Sequence, residues 1–379
     1  MSAPASHEAL IALTTLAGLP SANPWRLRRL LWHHPPTEAF ELLRAGAELH
    51  PMVHRWLRVD GLAELRREAV RAVPGEVLHR CARLGIAAVP LGDPRYPPVL
   101  AADREAPVLL FTRGDTAALD RRRVSIVGTR NATAAGRATA GELGQHLAEA
   151  GVAVVSGLAR GIDGAAHRGV RRAGEVPGRA VGIVANGLDR PYPRQHTELW
   201  QWVAERGLLI SEWPPGAAPE SWRFPLRNRV IAALAEVLVV VESRDRGGSM
   251  ITVEAATKRS VPVMAVPGSV RSRASDGTNE LIDAGATSVR AAGDVLLALG
   301  LDHSRQGRLA FDPRPTPDAL QARLLELCRS EACTLDMLVT RLGCSLTDAA
   351  LAASRLTAGG WLQEVGGWFE PCGSRLVGS

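Results

Sequence analysis

The strongest constraint on the fold is a set of short, almost continuously apolar runs spaced through the middle of the chain. They read VSIVG (124–128), VAVVSG (152–157), AVGIVA (180–185), LLISE (208–212), VLVVVES (237–243) and VPVMAVPG (261–268). Each has strand length and is rich in β-branched residues. The absence of apolar–polar alternation means that both faces of each strand are covered. Between them lie helical patterns of crossover length, such as ATAAGRATAGELGQHLAEAG and SMITVEAATKRS. Apolar strands alternating with helices predict an α/β core, an extended Rossmann-like, doubly wound parallel sheet over residues 84–300.

The flanks have a different texture. Residues 1–80 contain HEALIALTTLAG, PWRLRRLLWH, PTEAFELLRAG and GLAELRREAVRAV, amphipathic segments separated by Pro and Gly that predict a small helical module. Residues 301–317 are proline-rich with little periodicity and read as a linker. In residues 318–379, three helical patterns precede WLQEVGGWFEP, two short strands around Gly366-Gly367. Three helices and a two-stranded wing predict a winged helix.

Composition narrows the function. The chain of 379 residues carries a formal net charge of +6, and all but one of its cations are arginine. Guanidinium groups suit phosphate contacts and base stacking. Residues 81–317 hold 30 basic against 24 acidic residues, whereas residues 318–379 hold 5 against 7, so a polyanion is expected at the middle and not at the C-terminal segment. The five cysteines show no CxxC pairing and fit reduced structural thiols. Neither a secretory signal nor an apolar run long enough to span a bilayer is present, which points to the cytoplasm. No metal or cofactor is implied.

The turns that follow the strands carry the chemistry. VSIVGTRNATAAG places Gly128, Thr129 and Arg130 between a strand and a helix, where amides and a guanidinium can meet an anion. The close glycine pair of a dinucleotide fingerprint is missing, which argues against NAD. SGLARGIDGAAH places Gly157, Gly161 and Gly164 in the next turn; Ser156, Asp163 and His167 there read as structural, since no nucleophile elbow is present. ANGLDRPYPRQH is a third backbone-shaping loop. ESWRFPLRNRV places Phe224, Arg227, Asn228 and Arg229 ahead of a helix, an aromatic beside arginines as single-stranded nucleic acid requires, with one of the arginines expected to be a buried ion-pair partner. RDRGGSMIT offers Gly248 and Ser249 as a further anion nest. Four such turns on one sheet edge would make a groove.

In this order, YPPVL, PVLLFTRG, VSIVGTR, VVSGLARGIDGAAH, NGLDRPYP, LLISEWPPG, FPLRNRVIAAL, GGSMIT, VMAVPG and NELIDAGA resemble the DprA/Smf family of DNA-processing proteins. The resemblance covers roughly half the chain. It implies single-stranded DNA as ligand, RecA recombinase as partner during natural transformation, and a homodimer formed through the Rossmann domain. It also implies a SAM-like N-terminal module and a C-terminal winged helix; no catalytic residues are identified in the sequence, and the chain is not expected to be an enzyme. It carries DNA contacts onto Gly128, Thr129, Arg130, Phe224, Arg227, Asn228, Gly248 and Ser249. Four positions depart from the family pattern: Gly247 in place of a serine, His196 in place of an asparagine, and Gly169-Val170 in place of Ala-Leu. The alternative is a nucleotide-cleaving phosphoribohydrolase of related fold, for which Gly248, Thr252 and Glu254 would be ligand and acid residues.

Overall fold

The computed structural model describes residues 6–176, 178–245, 247–301, 314–315 and 317–372. Five helical segments come first: α1 (His7–Ala17), α2 (Pro24–Leu31), α3 (Pro36–Ala45), α4 (Pro51–Arg71), which is interrupted at Arg58 where φ is +56°, and α5 (Glu76–Arg83). Their ends follow from local chemistry. The Ser6 hydroxyl accepts from the Ala9 amide ahead of α1, and the Asn23 side-chain Oδ1 accepts from the Arg26 amide ahead of α2. Proline opens α2, α3 and α4, where a helix has no use for its N–H. Gly46 closes α3 in the left-handed conformation.

The next segment alternates: β1 (Ala87–Pro90), α6 (Pro98–Ala101), β2 (Leu109–Gly114), β3 (Arg123–Val127), α7 (Ala134–Glu149), β4 (Ala153–Ser156) and α8 (Ile162–Arg172). It continues with β5 (Ala180–Val184), α9 (Thr197–Arg206), β6 (Leu208–Ser211), α10 (Arg223–Leu234), β7 (Val237–Val240) and α11 (Gly248–Thr257), then β8 (Val263–Ala265), α12 (Asp276–Asp283), β9 (Thr287–Ser288) and α13 (Ala292–Ala298). The strands form one sheet in the order β1-β2-β6-β5-β4-β3-β7-β8-β9. From β6 to β9 every pairing is parallel, whereas β1–β2 and β2–β6 are antiparallel. The six apolar runs are β3 to β8. The sheet is therefore mixed, its expected parallel body extended by two antiparallel strands at one edge and by β9 at the other.

Alternate residues of each strand feed two cores. Val124, Ile126 and Val154 face α7 and α8 through Leu143, Leu147, Ile162 and Val170. Val127, Val155 and Val240 face α10 and α11 through Val230, Ile231 and Val253. The first core does not stop at the sheet. It runs on into the N-terminal helices through Leu16, Leu30, Leu43 and Leu65, so residues 1–302 fold around continuous apolar packing as one unit.

A second unit spans residues 303–379. It contains α14 (Ala319–Ser330), β10 (Cys333–Thr334), α15 (Leu335–Leu342), α16 (Leu346–Ala358), β11 (Leu362–Val365) and β12 (Trp368–Pro371). The strands pair in the order β10-β12-β11. Gly366 and Gly367 both have positive φ, the requirement of a two-residue primed hairpin turn between Val365 and Trp368. Leu324, Leu338, Leu356 and Phe369 fill its core, which gives the helix–wing arrangement. Most of the expected linker, 301–317, lies outside the described residues.

Candidate nucleic-acid interface

Strand order reverses between β3 and β7: the chain winds from β3 toward β6 on one side and from β7 toward β9 on the other. Crossover connections diverge at such a point and leave a crevice beyond the strand ends. Here the crevice is a groove of about 390 Å³, lined among others by Gly128, Thr129, Arg130, Phe224, Arg227 and Asn228, with Gly248 and Ser249 on the far wall. A second groove of about 530 Å³ adjoins it, lined by Gly157, Arg160, Asn186, Tyr192 and Arg194. The two share Arg130, Ala159 and Phe224. The turns after β3, β4, β5 and β7 are thus brought to a common edge.

Arg130 stands on the ridge between the grooves. It is solvent-exposed, and its guanidinium lies over the Phe224 ring, 4.6 Å from the centroid. Tyr192 contacts the same ring at 5.7 Å between centroids and is itself exposed. Among the described residues, Arg130, Arg160, Arg194 and Arg244 form no ion pair. A row of ring faces beside guanidinium groups without counter-ions is suited to stacked bases and their phosphates.

The β4 turn is held from within. The Gly157 amide donates to Asp163 Oδ2 at 3.1 Å, while the Gly157 carbonyl accepts from Arg227 Nη1 at 2.9 Å. The same Arg227 nitrogen also donates to the Ile183 carbonyl. A Cβ on Gly157 would lie 2.4 Å from Arg227 Nη1 and 2.6 Å from Asp163 Oδ2, so only glycine fits between them. Gly161, with φ of +78°, brings the start of α8 against the Thr129 carbonyl and ties this turn to the β3 turn. Burial raises the Asp163 carboxyl above its ordinary range, against the pull of Arg227 and two amides. Burial likewise lowers the Arg227 guanidinium, to about 10, with Asp163 opposing.

Several site residues stand differently from the sequence reading. Phe224, Arg227, Asn228 and Arg229 lie inside the first two turns of α10 and not ahead of it, because Pro225 occupies the first turn, where its missing N–H is harmless. Arg227 is buried, so its guanidinium supports the groove floor. Arg229 points away from both grooves: it pairs with buried Glu212, donates to the Glu105 carbonyl at 2.7 Å and sits over Trp25 at 5.6 Å. These contacts give Arg229 a packing role between α10 and the N-terminal helices. Asn228 Nδ2 donates to the Gly248 carbonyl at 3.3 Å, joining the first turns of α10 and α11. The Ser249 hydroxyl is buried and donates to Ser243 Oγ at 2.7 Å, which leaves the α11 backbone as the part of this nest that faces the groove.

Ser156, Asp163 and His167 do not form a relay. Ser156 Oγ donates to the Ile126 carbonyl at 2.6 Å, and the His167 ring lies against the Val154 carbonyl at 3.3 Å, fully buried and pushed down to about 4 by that burial. Glu254, the acid required by the hydrolase alternative, is exposed, pairs with Lys258 at 2.6 Å and lines neither groove. His196, at the position of the usual asparagine, bonds through Nδ1 to the Leu158 carbonyl at 2.9 Å and so helps to shape the same turn. Sequence reasoning did not single out Arg160, Arg194, Tyr192 or Arg244 as ligand residues. The Tyr-Pro-Arg run at 192–194 was the available signal, an aromatic adjoining a cation after a strand. Among the described residues, no helix is long and apolar enough to cross a membrane, and no cluster of His, Cys, Asp or Glu could hold a metal.

A doubly wound sheet with an arginine- and aromatic-lined groove at its switch point defines a Rossmann-like protein with a cationic ligand crevice. The chain belongs to the DNA recombination-mediator protein A family, whose profile matches residues 87–300. It is 38% identical to the DNA processing protein DprA of Bacillus subtilis over 56% of this chain and 70% of that protein. The structure of DNA processing protein A from Streptococcus pneumoniae superposes with a TM-score of 0.63 at 29% identity, covering 78% of this chain and 98% of that one. DNA processing protein A from Helicobacter pylori, described for its single-stranded DNA binding mode, superposes with a TM-score of 0.51 at 28% identity over 57% of this chain and 96% of that one.

Proposed function

We propose that the protein binds single-stranded DNA along the two joined grooves, with phosphates on Arg130, on the outlying arginines and on the first-turn amides of α11, and with bases on Phe224 and Tyr192. The observation that carries this reading is the Arg130–Phe224 stack on the ridge common to both grooves, at 4.6 Å and with no salt bridge among the described residues. Bases unstacked from a duplex can use such a platform; bases inside a duplex cannot. The protein acts by holding its ligand and not by catalysis: the polar groups nearest the groove floor, Asp163, Arg227 and Ser249, are engaged internally. In the cytoplasm, as a homodimer through the Rossmann unit, it would protect incoming single strands and pass them to RecA, with the acidic winged helix as a protein contact.

The test is fluorescence anisotropy with labelled oligo-dT and a duplex of equal length at two salt concentrations. Oligo-dT is expected to bind more tightly, and its affinity to fall as salt rises. Equal affinity for duplex, or no dependence on salt, would overturn the proposal.

A further inference from the structure

The N-terminal helices carry a second constellation of the same chemistry, remote in sequence from the grooves. Trp32, just beyond α2, is 68% exposed, an unusual position for the largest apolar side chain in a chain with ample core to bury it. Arg28 reaches over its ring at 6.0 Å. Arg29 lies over Trp56, in the first half of α4, at the same distance and donates to the Trp56 carbonyl at 3.4 Å. Beside the second pair the His33 and His50 rings stack face to face, 3.8 Å apart and 7° from parallel, and His33 also touches the Trp56 ring at 5.5 Å. Among the described residues, neither arginine has a carboxylate partner.

A packing role accounts for the histidine stack, which joins the end of α2 to the start of α4. It does not account for Trp32, whose ring is left in water with a cation held beside it. Four flat rings beside two guanidinium groups that donate to the Arg104 and Trp56 carbonyls and keep their charge uncompensated among the described residues make a cationic stacking surface, and its complement is a flexible polyanion with exposed ring faces. We infer that this patch on the N-terminal helices is a second single-strand-binding surface, separate from the sheet-edge grooves. An acidic protein segment would satisfy the arginines but would leave the Trp32 face unused. Double-stranded DNA would satisfy the arginines but has no free base faces to offer.

The inference does not depend on the grooves, and its test is read at the patch itself. An oligonucleotide of bromodeoxyuridine is irradiated with the full-length protein, and the crosslinked peptides are mapped. An adduct on the peptide carrying Trp32, absent when the same strand is annealed to its complement, is expected. In parallel, Trp32→Ala should weaken oligo-dT binding about fivefold, the lower range for loss of one base-stacking ring, while the melting temperature is unchanged because the side chain is exposed. Crosslinks confined to the groove peptides, or an affinity unaltered by Trp32→Ala, would overturn the inference. A failure of the groove reading would show separately, as an absence of adducts near Tyr192 and Phe224.

Discussion

At the scale of single residues, the two arginines of the groove have opposite duties. Arg130 is exposed and forms no ion pair among the described residues, so Arg130→Ala should weaken oligo-dT binding by an order of magnitude or more and leave the denaturation midpoint unchanged. The slope of log affinity against log salt should fall by about 0.7, the share of one single-strand phosphate contact. Arg227 is buried between the Gly157 and Ile183 carbonyls with Asp163 beside it. Arg227→Ala strands those acceptors and an uncompensated carboxylate, and should cost about 3–5 kcal/mol in urea unfolding, with any loss of binding following from that. His167 adds a pH dependence. Burial holds its imidazole near 4, below the value of about 6.5 in an unfolded chain, so between these limits the unfolded state takes up more protons. Its contribution is complete above pH 6.5 and is lost as pH falls. Between pH 7 and pH 5 the wild type should lose about 2 kcal/mol more stability than His167→Gln, measured by urea titration.

At the scale of elements, the tightest packing lies between α7 and α8, which meet backbone to backbone. A Cβ at Gly144 would stand 2.2 Å from the Ala166 carbonyl oxygen, and one at Gly169 would stand 2.0 Å from that of Gly141. Gly169→Ala should therefore destabilise the protein by about 1–3 kcal/mol, seen as a lowered thermal midpoint, although alanine is the better helix former. This is also why the Gly169 departure from the family pattern is not neutral here: the helix pair has closed to the spacing that a glycine permits. How much could be read beforehand divides along the same physical line. The parallel strands were legible because burial on both faces writes itself as unbroken apolar runs. Strands β1 and β2 were not, since AAVP and LLFTRG are short, carry Pro or Gly, and owe their place to edge pairing with β6. The convergence of the glycine turns on one sheet edge was legible because their spacing follows from strand–helix geometry. The destination of Arg229 was not, because Glu212 and Trp25, which capture it, are distant in sequence and reach it only through the tertiary fold.

At the scale of the whole molecule, charge and architecture separate the functions. Residues 318–379 carry 5 basic against 7 acidic residues, and the residues that line the two grooves fall between 127 and 252. Truncation after residue 302 should leave oligo-dT affinity within about threefold of the full chain, by the same anisotropy assay, since phosphate contacts set most of the affinity and the groove lining lies within the first unit. The N-terminal helices are a different matter. Their leucines are continuous with the packing beneath α7 and α8, and Trp25 and Arg28 reach across to Arg229 and to the Arg104 carbonyl. An enzyme that nicks the chain near residue 84 would therefore free nothing: the two fragments should stay associated on a sizing column and melt together. Fragments prepared without those helices should precipitate, and the portion that looks dispensable by its position at the start of the chain would prove inseparable from the rest.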